Sequence, residues 1–204
     1  MALGWDQHPP ERIFGLARGG VVVAAPAARR LMVPLEVLVV RKIGAPDQEE
    51  FGVGAICEDA PPLFSHDTLK TLHLEPADLI QTVRKKRIEA DEKIRKYRGS
   101  QLDWKKTPQS VLIIDDGLAT GISAEAAARY IRKRGVGKLT LGVPVAAADS
   151  AEALKRPGLL YDEIIALERL QNLGSIGSWY ESFPSVSDAE VSALLRPDRS
   201  KAAA

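Results

Sequence analysis

Val111-Leu-Ile-Ile-Asp115-Asp116-Gly-Leu-Ala-Thr120-Gly121-Ile-Ser123 runs directly into Ala124-Glu-Ala-Ala-Ala-Arg-Tyr-Ile-Arg. A short continuous apolar run reads as a buried strand of a parallel sheet, and the alanine-rich segment after it as a helix. The turn between them then lies at the carboxyl end of a strand, where open α/β sheets bind ligands. Leu118 to Ser123 offers successive backbone N–H groups at a helix N-terminus, with Gly121 permitting close approach and hydroxyls at Thr120 and Ser123. Such a loop is an anion cradle suited to a phosphate. Asp115 and Asp116, just upstream, can accept hydrogen bonds from vicinal hydroxyls or hold a hydrated Mg²⁺. A phosphate site beside a diol or metal site describes a ribose phosphate. Either half alone has a plain structural explanation, as a turn former or a simple connection. The strand, acid pair and loop in one run carry the reading. Neither Gly-x4-Gly-Lys-Ser/Thr nor a Gly-x-Gly-x-x-Gly after a strand occurs.

Asp115-Asp116-Gly-Leu-Ala-Thr-Gly-Ile-Ser123 resembles the phosphoribosyl pyrophosphate (PRPP) signature of the type I phosphoribosyltransferases, departing from it at Gly117, where an aliphatic residue is usual. The likeness looks closest to a group of small bacterial predicted phosphoribosyltransferases. It implies an α/β fold with a central, mainly parallel sheet flanked by helices, a helical insertion and a small C-terminal hood. By resemblance, Asp115 and Asp116 embrace the ribose hydroxyls and orient Mg²⁺, directly or through water. Gly117, Leu118, Ala119, Thr120, Gly121, Ile122 and Ser123 form the loop around the 5′-phosphate. The implied reaction is transfer of ribose 5-phosphate from PRPP to a nitrogenous base or related acceptor, with release of pyrophosphate.

The rest of the chain agrees with this organisation. Its 204 residues suit a single domain, with apolar residues at 45%. The core is expected at about 12–168, the insertion at about 67–98 and the hood at about 170–195. Strand and helix signals alternate: Ile13 to Ala17, a helix from Val21 to Met32, a strand from Leu35 to Arg41, then the Val111 strand, Lys138 to Val145 and Glu163 to Leu167. This is the pattern of a parallel sheet with crossover helices. Phe51 to Cys57 and Leu63-Phe64 flank Pro61-Pro62 and read as a strand pair. A net charge of +1 gives no electrostatic case for nucleic acid or an anionic membrane. No basic-then-apolar leader is read at the start, and no apolar run approaches the ~18 residues of a membrane span. A cytoplasmic setting is expected, which the single Cys57 suits as a small buried side chain.

Arg18-Gly19-Gly20 closes the first strand as the acid pair closes a later one, and both ends open on the same sheet edge. The resemblance places pyrophosphate on this loop and on Arg41-Lys42 at the end of the second strand. It also places a mobile loop over Gly44 to Gly54. Pro76 to Tyr97 reads as a helix with a narrow apolar stripe at Ile80, Val83, Ala90, Ile94 and Tyr97, interrupted by Arg87. Glu89–Lys93, Asp91–Arg95 and Glu92–Lys96 are spaced for i, i+4 pairing. The basic run Arg84-Lys85-Lys86-Arg87 reads as a solvated face. The helix suits a lid, or a subunit contact in a homo-oligomer. Gly174-Ser-Ile-Gly-Ser-Trp179-Tyr180-Glu-Ser-Phe183 resembles the C-terminal segment of the hypoxanthine–guanine branch, but a stacking aromatic and a purine-reading lysine are missing. Trp179 and Tyr180 read equally well as pocket walls or as core. His8, His66 and His73 lack metal-ligand spacing. The rivals to the transferase are a non-catalytic PRPP-binding regulator and a purely structural interaction module.

Overall fold

The computed structural model describes residues 9–46, 48–100, 102, 104–155 and 160–196. The strands are β1 (Arg12–Leu16), β2 (Leu35–Leu38), β3 (Val40–Ala45), β4 (Gln48–Cys57), β5 (Leu63–Phe64), β6 (Ser110–Ile114), β7 (Lys138–Ala147) and β8 (Glu163–Leu170). The α-helices are α1 (Gly19–Leu31), α2 (His66–Thr71), α3 (Ile80–Tyr97), α4 (Ile122–Arg132), α5 (Ala148–Leu154) and α6 (Asp188–Leu194). Two short 3₁₀ turns, Pro76–Leu79 and Ile176–Trp179, precede α3 and α6.

Five strands form a parallel sheet in the order β2-β1-β6-β7-β8, and β3-β4-β5 form a separate antiparallel one. The run Val111 to Ile114 is buried throughout because helices cover both of its faces. Val111 and Ile113 pack with Phe14, Leu141 and the alanines of α4, while Leu112 and Ile114 pack with Ile13 and with Ala24 and Ala28 of α1. Alternation along each strand thus supplies two cores from one apolar run. Cys57 is 1% exposed, and burial pushes its thiol well above the ordinary range, consistent with a packing role.

The segment Leu35 to Arg41, expected as one strand, is two. The break falls at Val39, whose N–H donates to Glu58 Oε1 at 2.8 Å and whose carbonyl accepts from the Glu58 N–H at 3.0 Å. Glu58 is wholly buried with φ of +51°, in the left-handed region, where the chain turns out of β4. Arg98 closes the arrangement, donating to Glu58 Oε2 at 2.5 Å and to the Val37 carbonyl at 2.8 Å. Arg87 donates to the carbonyls of Glu58 and Ala60. The chain therefore leaves the parallel sheet at Val39 and starts a hairpin. The expected loop over Gly44 to Gly54 is the end of this hairpin, formed by β3 and β4. Asp47 and the side chains of residues 48–51, which include Glu49 and Glu50, lie outside the described residues.

The helix expected over Pro76 to Tyr97 begins as 3₁₀ and becomes α-helical at Ile80. Ala90 and Ile94 pack with Val37, Val39 and Val191, as the apolar stripe anticipates, whereas Ile80 is 48% exposed. The i, i+4 partners differ from expectation. Glu89 accepts from Arg41 and Lys86, while Lys93 and Lys96 both reach Asp188 of α6, at 2.6 and 2.8 Å. Tertiary partners offer charge where a solvated helix pair offers only ~0.2–0.5 kcal/mol. Among the described residues, no helix is long and apolar enough to cross a membrane.

Glu58→Ala should leave the Val39 N–H and the Arg98 guanidinium without their buried acceptor. The expected loss is about 3–5 kcal/mol, the usual cost of removing one partner from a buried ion pair, read from the urea midpoint.

Candidate functional site

The carboxyl ends of β1 and β6, the first residues of β3 and the N-termini of α1 and α4 enclose a cleft of about 410 Å³. Arg18, Gly19, Arg41, Lys42, Asp115, Asp116 and Gly117 line it, with Leu118, Ala119, Thr120, Gly121 and Ser123 along one side. Of the residues singled out in the sequence, Gly20 and Ile122 stand behind the lining. Gly20 is buried against β6, and Ile122, the first residue of α4, packs on the core. Arg41 and Lys42 lie within a hairpin strand rather than at a strand end.

Local geometry explains the small residues. A Cβ on Gly19 would stand 1.9 Å from Asp116 Oδ2, and one on Gly20 would stand 2.6 Å from the Ile114 carbonyl. The glycine pair thus lets the start of α1 press against the acid pair. Gly121 holds φ of +80° at the N-cap of α4, a conformation that L side chains rarely adopt. Leu118 is tied to β7, its N–H donating to the Val145 carbonyl at 2.9 Å and its carbonyl accepting from Ala147 at 2.7 Å. Beyond it, the N–H groups of Thr120, Gly121, Ile122 and Ser123 find no acceptor among the described residues. The same holds for Gly19 and Gly20. Two open N–H loops at helix N-termini, facing one cleft, create a field that favours anions.

Between these loops sits the acid pair. Asp116 N–H donates to Asp115 Oδ1 at 2.9 Å. Burial pushes both carboxyls above the ordinary carboxylate range. The Asp116 charge adds to the rise at Asp115, and Lys42 draws both back. Desolvating two neighbouring carboxylates is costly unless a cation or hydroxyl donors meet them. Among the described residues no group of three or more His, Cys, Asp or Glu side chains is placed to hold a metal. His66 and His73 are exposed, and His8 lies outside the described residues.

The C-terminal segment closes the far wall, with contacts that sequence reasoning left open. Tyr180 Oη donates to the Asp116 carbonyl at 2.6 Å, and burial with the nearby acid pair pushes its phenol up to about 12. Trp179 is half exposed and donates through Nε1 to the Leu173 carbonyl at 2.9 Å. Neither ring lines the cleft; Ile176 does. A Cβ on Gly117 would stand 2.7 Å from Ile176 Cγ2, so the hood supplies the aliphatic bulk that the loop omits at 117. Lys86 also lines the cleft, contrary to its reading as part of a solvated face. Arg87, of the same run, is turned onto backbone carbonyls. Glu89 pairs with Arg41, which is therefore not a free cation in this state. Lys86 and Ile176 each fall in a segment that the sequence marks, but only their packing selects them from their neighbours.

Residues 6–166 match the phosphoribosyl transferase domain family. The chain belongs to that family. A Mycobacterium tuberculosis H37Rv protein with the provisional name phosphoribosyl transferase Rv0571c is 37% identical over 183 residues, covering 90% of this chain. The MT0597 protein of strain CDC 1551 matches to the same extent. This chain covers 41% of the length of each of these relatives. The crystal structure of the TT1426 protein from Thermus thermophilus superposes with a TM-score of 0.68 at 33% identity, over 91% of this chain and 86% of that one. The type I phosphoribosyltransferase fold expected from the motif is the fold this family member adopts.

Gly117→Val should force the hood turn off the loop and lower stability by about 1–3 kcal/mol, as overpacking does. Adding Ile176→Ala should recover most of that loss. Urea unfolding of the two single variants and the double variant reads the coupling; strict additivity would show that the two positions do not share the space.

Proposed function

We propose that the chain binds PRPP in this cleft and transfers its ribose 5-phosphate to a nitrogenous base or related acceptor, releasing pyrophosphate. The carrying observation is the half-buried acid pair set between two open N–H loops in a member of the phosphoribosyl transferase family. The loop from Leu118 to Ser123 takes the 5′-phosphate on free N–H groups and the Thr120 and Ser123 hydroxyls. Asp115 and Asp116 accept from the ribose hydroxyls. Arg18, the Gly19-Gly20 backbone, Arg41 and Lys42 face the diphosphate.

Mg²⁺ is the cofactor that this arrangement suits. Two carboxylates with no third acid grouped beside them among the described residues fit a hard cation that draws its remaining oxygens from ligand and water. Bound there, it would offset the charge of the acid pair and of the departing diphosphate. The chain itself positions the reactants and balances charge. Departure of a diphosphate from C1 of a ribose favours a cation-like transition state, which needs orientation and water exclusion more than a side-chain base.

The hood aromatics Trp179 and Tyr180 lie outside the cleft lining. Calorimetry with PRPP and Mg²⁺ tests the binding. Pyrophosphate release with a panel of bases tests transfer. Binding without release for any acceptor would replace the transferase with a PRPP-sensing regulator.

Asp115→Asn with Asp116→Asn should abolish most PRPP binding while stabilising the fold. The native state holds its protons to higher pH than the unfolded chain. The charged pair therefore subtracts stability as pH rises from the ordinary carboxylate value through the raised one. Removing the charges should raise Tm at neutral pH on the order of 2–4 °C, with little gain at low pH where both acids are already neutral. Thermal scans across pH, beside PRPP titrations, check both halves; retained PRPP affinity would defeat the assignment.

Arg18→Ala should depress single-turnover transfer far more than it weakens PRPP binding, since charge grows on the diphosphate as it leaves. The expected loss is ~10²–10³-fold in rate, typical of removing one such donor. Matching losses in rate and affinity would mean that Arg18 contributes uniform binding only.

A further inference from the structure

We infer that Lys86 of the helical insertion is an additional anion-binding residue of the cleft, presented by Glu89 beside Arg41 for the diphosphate of the bound sugar. The inference rests on the PRPP reading above and adds a residue from outside the recognised motifs. In the run Arg84 to Arg87, the first two side chains are exposed and Arg87 is committed to the carbonyls of Glu58 and Ala60. Lys86 alone of the four lines the cleft. Its side chain is 13% exposed, and its Nζ lies 3.2 Å from Glu89 Oε1. The other carboxylate oxygen, Oε2, accepts from Arg41 through Nε at 3.1 Å and through Nη2.

One carboxylate therefore holds two cations, one from the hairpin and one from α3. The pair keeps an excess of positive charge, and Arg18 and Lys42 add to it in the same cleft. An ammonium carries three donors, so a bond to Glu89 leaves capacity for a ligand oxygen. Glu89 also sets where both cations stand, a form of preorganisation that lowers the ordering cost of anion binding. The helix is itself fixed: Arg87 and Arg98 tie it to Glu58, and Ala90 and Ile94 are buried. A cationic wall opposite a carboxylate pair selects a ligand with a polyanionic end and a hydroxylated end. That polarity is the polarity of PRPP.

The test measures inorganic pyrophosphate, PRPP with Mg²⁺ and ribose 5-phosphate binding to the full chain by calorimetry. Lys86→Ala should weaken pyrophosphate and PRPP on the order of tenfold, as loss of one charged hydrogen bond does, with ribose 5-phosphate unchanged. Lys86→Arg should retain most of the affinity. Lys85→Ala removes the same charge from the exposed face and should leave all three affinities unchanged. Lys86→Met keeps the aliphatic stem and replaces the alanine variant if that variant does not fold. Independently of any variant, pyrophosphate should protect Lys86 from an amine-acylating reagent in the wild-type chain, read by mass spectrometry. Unchanged pyrophosphate affinity in the Lys86 variants, equal losses at Lys85 and Lys86, or labelling of Lys86 indifferent to pyrophosphate would overturn the inference while leaving the PRPP reading intact. A wild-type chain that binds neither pyrophosphate nor PRPP would overturn both.

Discussion

Glu58 accepts from the Val39 N–H and from Arg98 in a place closed to water, and the placement of Arg41, Lys42 and Lys86 depends on that contact. Without an acceptor at Val39, the chain would have no satisfied way to leave the parallel sheet between Leu38 and Val40. The break aims β3 across the cleft, placing Arg41 and Lys42 there. The same carboxylate anchors Arg98, and its own carbonyl takes Arg87, so α3 is fixed by the residue that breaks the strand. Burial pushes the Glu58 carboxyl upward, and Arg98 and the Val39 N–H pull it back. A buried acid of this kind is weak evidence of stability for its own sake. Its value here is geometric, since one group sets two elements that carry charge into the site.

The acid pair shows the opposite economy. Asp115 and Asp116 are held close together and largely out of water by glycines that permit nothing bulkier, with no hydrogen-bonded cation among the described residues. Both carboxyls are raised by burial, so the free cleft carries a desolvation cost that a hydroxylated, cation-bearing ligand relieves. Strain of this sort is a usual mark of a binding site rather than of a scaffold. The loops on either side reinforce the reading, because their unpaired N–H groups are satisfied only by water or by a ligand.

The insertion and the hood are mechanically joined. Asp188, at the start of α6, accepts from Lys93, Lys96 and Tyr97 of α3, and those bonds hold its carboxyl well below the ordinary range. The hood then reaches the motif directly, through Tyr180 on the Asp116 carbonyl and Ile176 over Gly117. The helix thus connects the hairpin cations on one side of the cleft to the wall on the other, within one continuous set of contacts.

The sequence alone determined the parallel sheet, the alternation of its main strands with the helices α1 and α4, and the motif from Asp115 to Ser123. Those features are local: an apolar run, a helix-forming run and the small residues between them need no distant partner to be read. The positions of Arg18, Gly19 and Gly20 were legible for the same reason, since a strand end before a helix is a local signal. Only the tertiary structure decided the break at Val39, because its cause is an acceptor nineteen residues away, at Glu58. It also decided that Lys86 faces the cleft: helical periodicity sets Arg87 on the packed stripe but does not say which of its basic neighbours reaches a site built from other elements. Gly117 reads as a departure from the family pattern until Ile176 is seen filling its space from across the chain. Packing places side chains in volumes that remote segments share, and a linear pattern does not record which segment fills them.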